Sequence, residues 1–180
     1  MNETFPHLTL VLGGAASGKS ALAETLCATS ALDRVYVATA QAHDAEMAEK
    51  IERHKRARGT GWTTVEAPFD VVSPLAQARG DQILLVDCLT LWLTNHLLAK
   101  HNLVTEQSRL LSACAEAACP VVMVSNEVGL GIVPADPLSR TFRAAQGRLN
   151  QRVAAQAGLV VSVTAGLPQV LKGRLPEGVA

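Results

Sequence analysis

The chain has 180 residues, and 48% of them are hydrophobic, which is enough to fill the core of one compact domain. Its 16 lysines and arginines balance 16 aspartates and glutamates, so overall charge gives no support for a nucleic-acid-binding surface. The sequence predicts no membrane span, because no apolar run approaches the about 20 residues that a span needs. The N-terminus also lacks the basic and apolar regions of a signal peptide, so we expect a cytoplasmic protein.

Four cysteines fall in or beside apolar runs, and they show neither CxxC pairing nor the spacing of zinc ligands. They are Cys27, Cys88, Cys114 and Cys119. This pattern predicts reduced, mostly buried thiols rather than disulfides.

Short apolar runs alternate with helical patterns along the chain. Five runs predict strands buried on both faces, namely 8–13, 34–40, 82–88, 120–126 and 159–165. Six segments predict helices, at about 19–30, 43–58, 69–79, 89–99, 105–118 and 139–157. Pro134 and Pro137 indicate a loop after the fourth strand, and the tail from residue 172 is expected to be loose.

A phosphate-binding loop follows the first predicted strand. Residues 13–20 read GGAASGKS and satisfy the pattern GxxxxGK[ST], with a helical pattern directly after it. Its glycines, Gly13, Gly14 and Gly18, would let main-chain N–H groups point at phosphate oxygens, beside the positive end of the helix dipole. Lys19 would contact the β- and γ-phosphates, and the Ser20 hydroxyl would bind Mg²⁺. An ordinary glycine-rich turn is the alternative.

Together, the loop and the strand–helix alternation predict an α/β fold of the P-loop NTPase type, with a doubly wound, mostly parallel sheet and helices on both faces. Residues 1–180 would form a single nucleotide-binding domain.

Two acidic residues end predicted strands at the edge where parallel sheets bind ligands. Asp87 ends QILLVD and could hold Mg²⁺ beside Ser20, directly or through water, or it could merely cap a turn or helix. Glu127 follows VVMVSN, where it could orient a nucleophile or a metal-bound water, or cap a loop.

The helix predicted over 43–58 carries a histidine on its apolar stripe. At helical spacing one face combines Met47, Ile51, His54 and Arg58. Partial burial beside Lys55 and Arg58 would lower the pKa of His54, leaving a neutral, nucleophilic imidazole at pH 7. A packed histidine that closes a helix is the alternative, and spacing alone does not exclude it.

Long stretches of the chain resemble the bifunctional adenosylcobinamide kinase/adenosylcobinamide-phosphate guanylyltransferase family of cobalamin biosynthesis. The stretches are GGAASGKS, YVATAQAHDAEMAEKIERHKRARGTGWTTVEAP, LLVDCLTLWLTN, VSNEVGLGIVP and RTFRAAQGRLNQRVA. The resemblance implies a kinase that phosphorylates adenosylcobinamide with ATP or GTP. It also implies a transfer of GMP from GTP, through a guanylyl-histidine, to give adenosylcobinamide-GDP.

The same resemblance implies which residues act. The guanylylated histidine of the motif RHK corresponds to His54. The nucleotide-contacting positions correspond to Gly13, Gly14, Ala15, Ala16, Ser17, Gly18, Lys19, Ser20, Ala38, Thr39, Ala40, Lys55, Arg56, Ala57, Arg58, Glu66 and Asp87. The family commonly has arginine where this chain has Ala16, which removes one possible phosphate contact and no residue of the loop pattern.

The resemblance further implies small-molecule corrinoid and nucleotide substrates and a homo-oligomer, namely a trimer. The corrinoid is expected to contact the region 126–151, through its glycine-rich loop and exposed Arg140, Arg143 and Asn150. Two other classes stay open on the residues alone: a simple P-loop kinase of a small molecule, and a nucleotide-gated assembly ATPase.

Overall fold

The computed structural model describes residues 5–42 and 45–179, apart from the side chains of residues 46–48, 50, 54 and 57. The strands are β1 Leu8–Gly13, β2 Asp33–Ala38, β3 Trp62–Glu66, β4 Gln82–Asp87, β5 Val121–Asn126, β6 Leu159–Thr164 and β7 Leu167–Lys172. The helices are α1 Lys19–Thr29, α2 Ala45–Arg58, α3 Val72–Ala76, α4 Leu89–Leu98, α5 Leu103–Glu116 and α6 Pro137–Gln156.

The seven strands form one sheet in the order β3-β2-β4-β5-β1-β6-β7. All neighbours pair in parallel except β6 and β7, which are antiparallel. The carboxyl ends of β1 to β6 therefore meet at one edge, and β1 lies near the point where the strand order reverses. Such an edge is where open α/β sheets bind ligands. The predicted doubly wound, mostly parallel sheet is confirmed.

Side chains alternate between two apolar clusters, one on each face of the sheet. On β4, Leu84 and Val86 belong to the cluster that packs against α4, α5 and α6. Ile83 and Leu85 belong to the opposite cluster, which includes residues of α1. Because both faces are covered, the central strands are nearly continuous apolar runs, and these were the strands that the sequence predicted.

Two edge strands were not predicted. The burial of β3 is partial, and its sequence WTTVE holds two exposed threonines. β7 has the sequence LPQVLK and is exposed over most of its length. Neither carries the continuous apolar run of a strand buried on both faces, because each lies at an edge of the sheet.

The helix predicted over 69–79 is wrong in length, since α3 spans only five residues. The main-chain oxygen of Phe69 accepts hydrogen bonds from Trp92 Nε1 at 2.9 Å and from the His96 ring at 3.1 Å. The Asp70 carboxylate accepts from the Ser73 N–H at 3.1 Å. These bonds hold residues 69 and 70 outside the helix and make Asp70 a cap for its first turn.

The loose tail is also a wrong prediction. Val179 is 4% exposed and belongs to the cluster on the α1 face of the sheet, and Leu175 packs against the same cluster. Burial of these two apolar side chains ties the tail to the domain.

The four cysteines are free and buried, as predicted. Burial raises the pKa of Cys27 and of Cys114 to about 12. Such thiols stay protonated at neutral pH and have little nucleophilic character. Across the described ranges, no helix combines the length and apolar character required to cross a bilayer.

Two histidines, His96 and His101, lie in contact at the carboxyl end of α4. The Nδ1 atoms of His96 and His101 lie 2.9 Å apart, and His96 Nε2 lies 3.1 Å from the Phe69 oxygen. If Nε2 donates to that carbonyl, Nδ1 of neutral His96 accepts from His101. A second proton on His96 would put two donors face to face.

We therefore expect acid to destabilise the fold through His96. Burial is the main cause that lowers the pKa of His96 below 6.5, so the unfolded chain takes up this proton first as the pH falls. The His96 contribution is fully present above pH 6.5 and is lost as the pH falls below that value, until the folded protein is protonated as well. Urea unfolding between pH 7.5 and 5 would show a smaller drop in stability for His96→Gln than for the wild type. An equal loss of stability with falling pH in both proteins would contradict this role of His96.

Candidate active site

The phosphate loop joins β1 to α1 through two glycines that no other residue could replace without movement. A Cβ on Gly13 would lie 2.3 Å from Ser17 Oγ and 2.7 Å from the Val163 oxygen. Gly18 has φ +96° in the left-handed region, and its Cβ would also approach Gly166. Ala16 adopts a left-handed φ of 54° as well, without being glycine.

Ser17, in the middle of the loop, is fixed against the β6–β7 turn. The Gly166 N–H donates to the Ser17 oxygen at 2.8 Å. The Ser17 hydroxyl is buried and has no hydrogen-bond partner among the described residues. Lys19 Nζ donates to the Gly14 oxygen at 3.0 Å, so its ammonium is folded back over the loop. Lys19 and Ser20 occupy the first turn of α1.

Other predicted site residues stand in a row on neighbouring strand ends. Asp87 pairs in register with Ala38, and Ala38 pairs with Glu66 on its other side. Glu66 is exposed, while Ala38 and Ala40 are half-buried. On the other side of β4, Gly13 of the phosphate loop pairs with Asn126. The structure thus brings the predicted residues of β2, β3 and β4 to the edge that carries the loop.

Thr39 differs from its neighbours, because its side chain points into the protein. Its hydroxyl donates to the Cys88 oxygen at 2.8 Å and accepts from the Cys88 N–H at 2.8 Å. Asn95 of α4 donates to the Thr39 oxygen at 3.0 Å and to the Pro68 oxygen at 2.8 Å. These bonds join the ends of β2, β3 and β4.

Asp87 belongs to a cluster of charged and aromatic side chains on the α1 face of the sheet. The Arg58 guanidinium lies 3.4 Å from the centre of the Tyr36 ring. Burial, together with the charge of Asp87 and a hydrogen bond to it, raises the pKa of Tyr36 well above its usual range. The phenol therefore stays protonated at neutral pH. One Arg58 nitrogen, Nη1, is buried and has no partner within the described part of the chain.

Glu24 is a site residue that the sequence analysis missed. Burial is the main cause that raises its pKa, the charge of Asp87 adds to the shift, and Arg58 opposes it. These influences place Glu24 in the same cluster. A signal was present in the sequence, because Glu24 follows Ser20 by four residues and therefore lies on the same face of α1.

Helix α2 carries the remaining predicted residues. Lys55 is exposed and forms an ion pair with Glu52 at 3.2 Å. Arg56 is exposed, and Arg58 ends the helix. The main chain of His54 is helical, but its side chain and that of Ala57 are outside what the structure describes. The predicted orientation and low pKa of His54 stay predictions.

The residues after β5 are hydrogen-bonded to the phosphate loop and to one another. The Glu127 N–H donates to the Gly13 oxygen at 3.1 Å, and the Glu127 carboxylate accepts from the Gly129 N–H. Of the two roles left open for Glu127, loop capping is the one seen. Asn150, expected to be exposed, is buried and accepts from the Ser125 hydroxyl at 2.6 Å.

A strand, a glycine-bearing phosphate loop and a helix that begins at the loop lysine, with an acid on a nearby strand, define a P-loop NTPase. Solved structures share the fold at low sequence identity. A protein of Pyrococcus horikoshii OT3 matches with TM-score 0.52 and 14% identity, covering 96% of this chain and 89% of that one. The RadB recombinase matches with TM-score 0.50 and 18% identity, covering 96% and 84%.

Sequence comparisons identify the family within this class. Residues 9–171 match the family described as cobinamide kinase/cobinamide phosphate guanyltransferase. The bifunctional adenosylcobalamin biosynthesis protein CobP of Pseudomonas aeruginosa is 46% identical over 167 residues, covering 91% of this chain and 96% of the relative. The corresponding CobU of Salmonella typhimurium is 39% identical over 182 residues, covering 92% and 99%. The chain belongs to the cobinamide kinase/cobinamide phosphate guanyltransferase family.

The resemblance inferred from the motifs is thereby confirmed, and so is an enzyme with kinase and guanyltransferase activities in cobalamin assembly. Of the three function classes left open by the phosphate loop alone, a simple kinase and an assembly ATPase lose their support.

The Thr39–Cys88 bonds predict a difference between two substitutions. Thr39→Val removes the hydroxyl and leaves the buried Cys88 N–H without its partner, while the Cys88 oxygen keeps the bond from the Trp92 N–H at 3.2 Å, so we expect a loss of about 2 kcal/mol in the free energy of unfolding. Thr39→Ser keeps the hydroxyl and should lose only about 1 kcal/mol, for one methyl group. Chemical denaturation measures both. A valine variant as stable as the serine variant would show that these bonds contribute little.

Proposed function

We propose that both reactions use one nucleoside triphosphate site at the phosphate loop, and that His54 carries GMP between GTP and cobinamide phosphate. The observation that supports this most is the contact of the Arg58 guanidinium with the Tyr36 ring, whose pKa is raised by burial and by the charge of Asp87. It ties the last turn of α2, one turn beyond His54, to the strand end beside the phosphate loop.

In the kinase reaction, the hydroxyl oxygen of cobinamide attacks the γ-phosphorus of ATP or GTP. The bond from the γ-phosphorus to the β-bridging oxygen breaks, the nucleoside diphosphate leaves, and the hydroxyl proton is released. The loop N–H groups and Lys19 stabilise the charge on the phosphate oxygens. Positioning and electrostatics supply most of the catalysis in such transfers, so no nucleophile of the protein is needed.

In the guanyltransferase reaction, an imidazole nitrogen of His54 attacks the α-phosphorus of GTP, and pyrophosphate leaves. A phosphate oxygen of cobinamide phosphate then attacks the same phosphorus, the N–P bond breaks, and cobinamide-GDP is released with a neutral histidine. The intermediate divides one difficult displacement into two easier ones. Arg58 Nη1, buried without a partner among the described residues, offers a donor to the nucleotide.

The donors at the loop fit a magnesium ion. Ser20 and Asp87 supply a hydroxyl and a carboxylate, and Mg²⁺ commonly binds one or two carboxylates together with substrate phosphates. Within residues 5–42 and 45–179, no group of three or more His, Cys, Asp or Glu forms a metal cage, which suits an ion held largely by the nucleotide. When bound, it would neutralise phosphate charge.

The remaining expectations extend this proposal. The family resemblance implies a trimer, and we extend the proposal to a cytoplasmic enzyme. The side chains of Ala38, Ala40 and Glu66, together with exposed Lys55 and Arg56, would surround the nucleotide from the β2 and β3 side.

A shared site predicts that Lys19→Ala and Ser20→Ala each reduce kinase and guanyltransferase activity together, by about a hundredfold or more. Both reactions need the same triphosphate and magnesium in place. Ser108→Ala, on the exposed face of α5, is a suitable control and should keep both activities. Wild-type guanyltransferase activity in the Lys19 variant would refute the shared site.

The histidine intermediate predicts that His54→Ala loses guanylyl transfer and keeps much of the kinase activity. GTP labelled at the α-phosphate should give one acid-labile, alkali-stable phosphoramidate on the peptide containing Ile51 to Arg56. Label from the γ-phosphate should be absent from that peptide. His101→Ala, which removes an exposed histidine after α4, should still accept the α-label.

Full α-labelling of His54→Ala would place the nucleophile elsewhere, and His43 or His96 would be tested next. If a folded His54→Ala lost both activities, His54 would order the pocket instead of attacking GTP.

A further inference from the structure

Exposed apolar side chains flank the phosphate loop on both sides. Leu130 is 90% exposed, Ile132 is 96% exposed and Val133 is 68% exposed, all in the loop that follows β5. Leu167 is 72% exposed and begins β7, directly after the turn that contacts Ser17. Since β5 and β6 are the two neighbours of β1, both groups follow strands that flank the phosphate loop.

The loop after β5 is held by its own hydrogen bonds. Arg143 of α6 donates to the Ile132 oxygen at 3.1 Å and also to the Gly129 oxygen. Arg140, one turn earlier, donates to the Pro134 oxygen at 3.0 Å. The two guanidinium groups therefore fix the main chain of the loop, while its large apolar side chains face outward. A surface ordered in advance loses little conformational entropy when a ligand binds.

The chemistry of this surface is apolar and uncharged. Residues 128–135 read VGLGIVPA and contain no ionisable side chain. At the root of the loop, Asn126 Oδ1 is buried and has no hydrogen-bond partner among the described residues. An acceptor in this state is open to a donor, and a ligand could supply one. Asn126 pairs in register with Gly13, so this acceptor lies beside the phosphate loop.

We propose that Leu130, Ile132, Val133 and Leu167 form a platform for the corrin ring of cobinamide, and that Asn126 accepts a hydrogen bond from a hydroxyl or amide of the same substrate. This inference rests on the proposed function, because the cobinamide hydroxyl must reach the γ-phosphate at the loop. A corrin ring is large, carries methyl groups and has neutral amides at its edge. Such a ligand matches an uncharged apolar surface with a lone acceptor better than an ionic partner would.

A second copy of the chain is the competing occupant of the platform. Continuity with the phosphate loop favours the substrate, since the Glu127 N–H donates directly to the Gly13 oxygen at 3.1 Å. A ligand that rests on the platform is thereby brought to the reacting phosphate. Contact between copies would not require this connection.

The test compares the double variant Leu130→Ser/Ile132→Ser with Val104→Ser, which alters another exposed apolar residue, 72% exposed, on α5. The kinase reaction gives KM for adenosylcobinamide and for GTP, and sedimentation velocity gives the oligomeric state. We expect the double variant to raise KM for adenosylcobinamide roughly tenfold or more, because burying each large aliphatic side chain is worth about that factor. KM for GTP, labelling by α-labelled GTP and the sedimentation coefficient should stay at wild-type values, as should all properties of Val104→Ser.

An unchanged KM for adenosylcobinamide in the double variant would overturn the platform. If the variant also dissociated, the surface would be an interface between copies.

Failure of the proposed function would give a different result. In that case the wild type itself would either fail to phosphorylate adenosylcobinamide, which overturns both proposals, or phosphorylate it without forming a histidine adduct. The second result would rule out the histidine intermediate, and the KM for adenosylcobinamide would still decide whether the platform binds the corrin ring.

Asn126→Asp, which keeps an oxygen acceptor, should bind the corrinoid better than Asn126→Leu, and equal binding would overturn the hydrogen bond.

Discussion

One buried hydroxyl fixes the geometry of the site. The Thr39 side chain uses its donor and its acceptor on the same residue, Cys88, and is fully buried. A buried hydroxyl that is fully bonded holds its partners firmly, because releasing either bond would leave a polar group without water. Cys88 follows Asp87 directly, so the bonds to Cys88 also fix the position of the Asp87 main chain at the end of β4. Asn95 extends the constraint to the end of β3 through the Pro68 oxygen. The floor of the site is therefore rigid, and rigid support is what precise positioning of phosphate requires.

The charges above this floor are arranged as a linked set. Burial and the charge of Asp87 raise the pKa of Tyr36, the Arg58 guanidinium lies over the Tyr36 ring, and Arg58 opposes the rise in the pKa of Glu24. Lys19 adds a second cation at the phosphate loop. Burial is the main cause that raises the pKa of Glu24, and the charge of Asp87 adds to the shift. A divalent cation bound with the nucleotide would be attracted to the same two carboxylates.

Much of this arrangement could be predicted from the sequence, and the failures have physical reasons. The buried strands, the phosphate loop and Asp87 carry strong local patterns, and the family motifs identified the chain. β3 and β7 were missed because each lies at an edge of the sheet and lacks a continuous apolar run. Tyr36 was not predicted as a site residue, because it belongs to an apolar strand. Its position near Asp87 depends on the register between β2 and β4, which no local sequence pattern predicts. Asn150 looked exposed, because its partner Ser125 belongs to β5, which only folding brings against α6.

The strand order also bears on how one nucleotide site could serve two reactions. Helix α2, with His54, connects β2 to β3, while the apolar platform follows β5 and β6. From β2 to β1 the sheet counts three strand intervals of about 4.8 Å, roughly 14 Å in all. The phosphate loop follows β1, which lies between β5 and β6, so platform residues follow the strands on either side of the loop, and α2 lies further along the sheet on the β5 side. A histidine would attack the α-phosphorus and a corrinoid hydroxyl the γ-phosphorus, so the two nucleophiles would act at different phosphorus atoms of a triphosphate bound in one place. Between the two reactions the nucleoside diphosphate would be exchanged for GTP, and the new phosphate of the corrinoid would move toward the α-phosphorus.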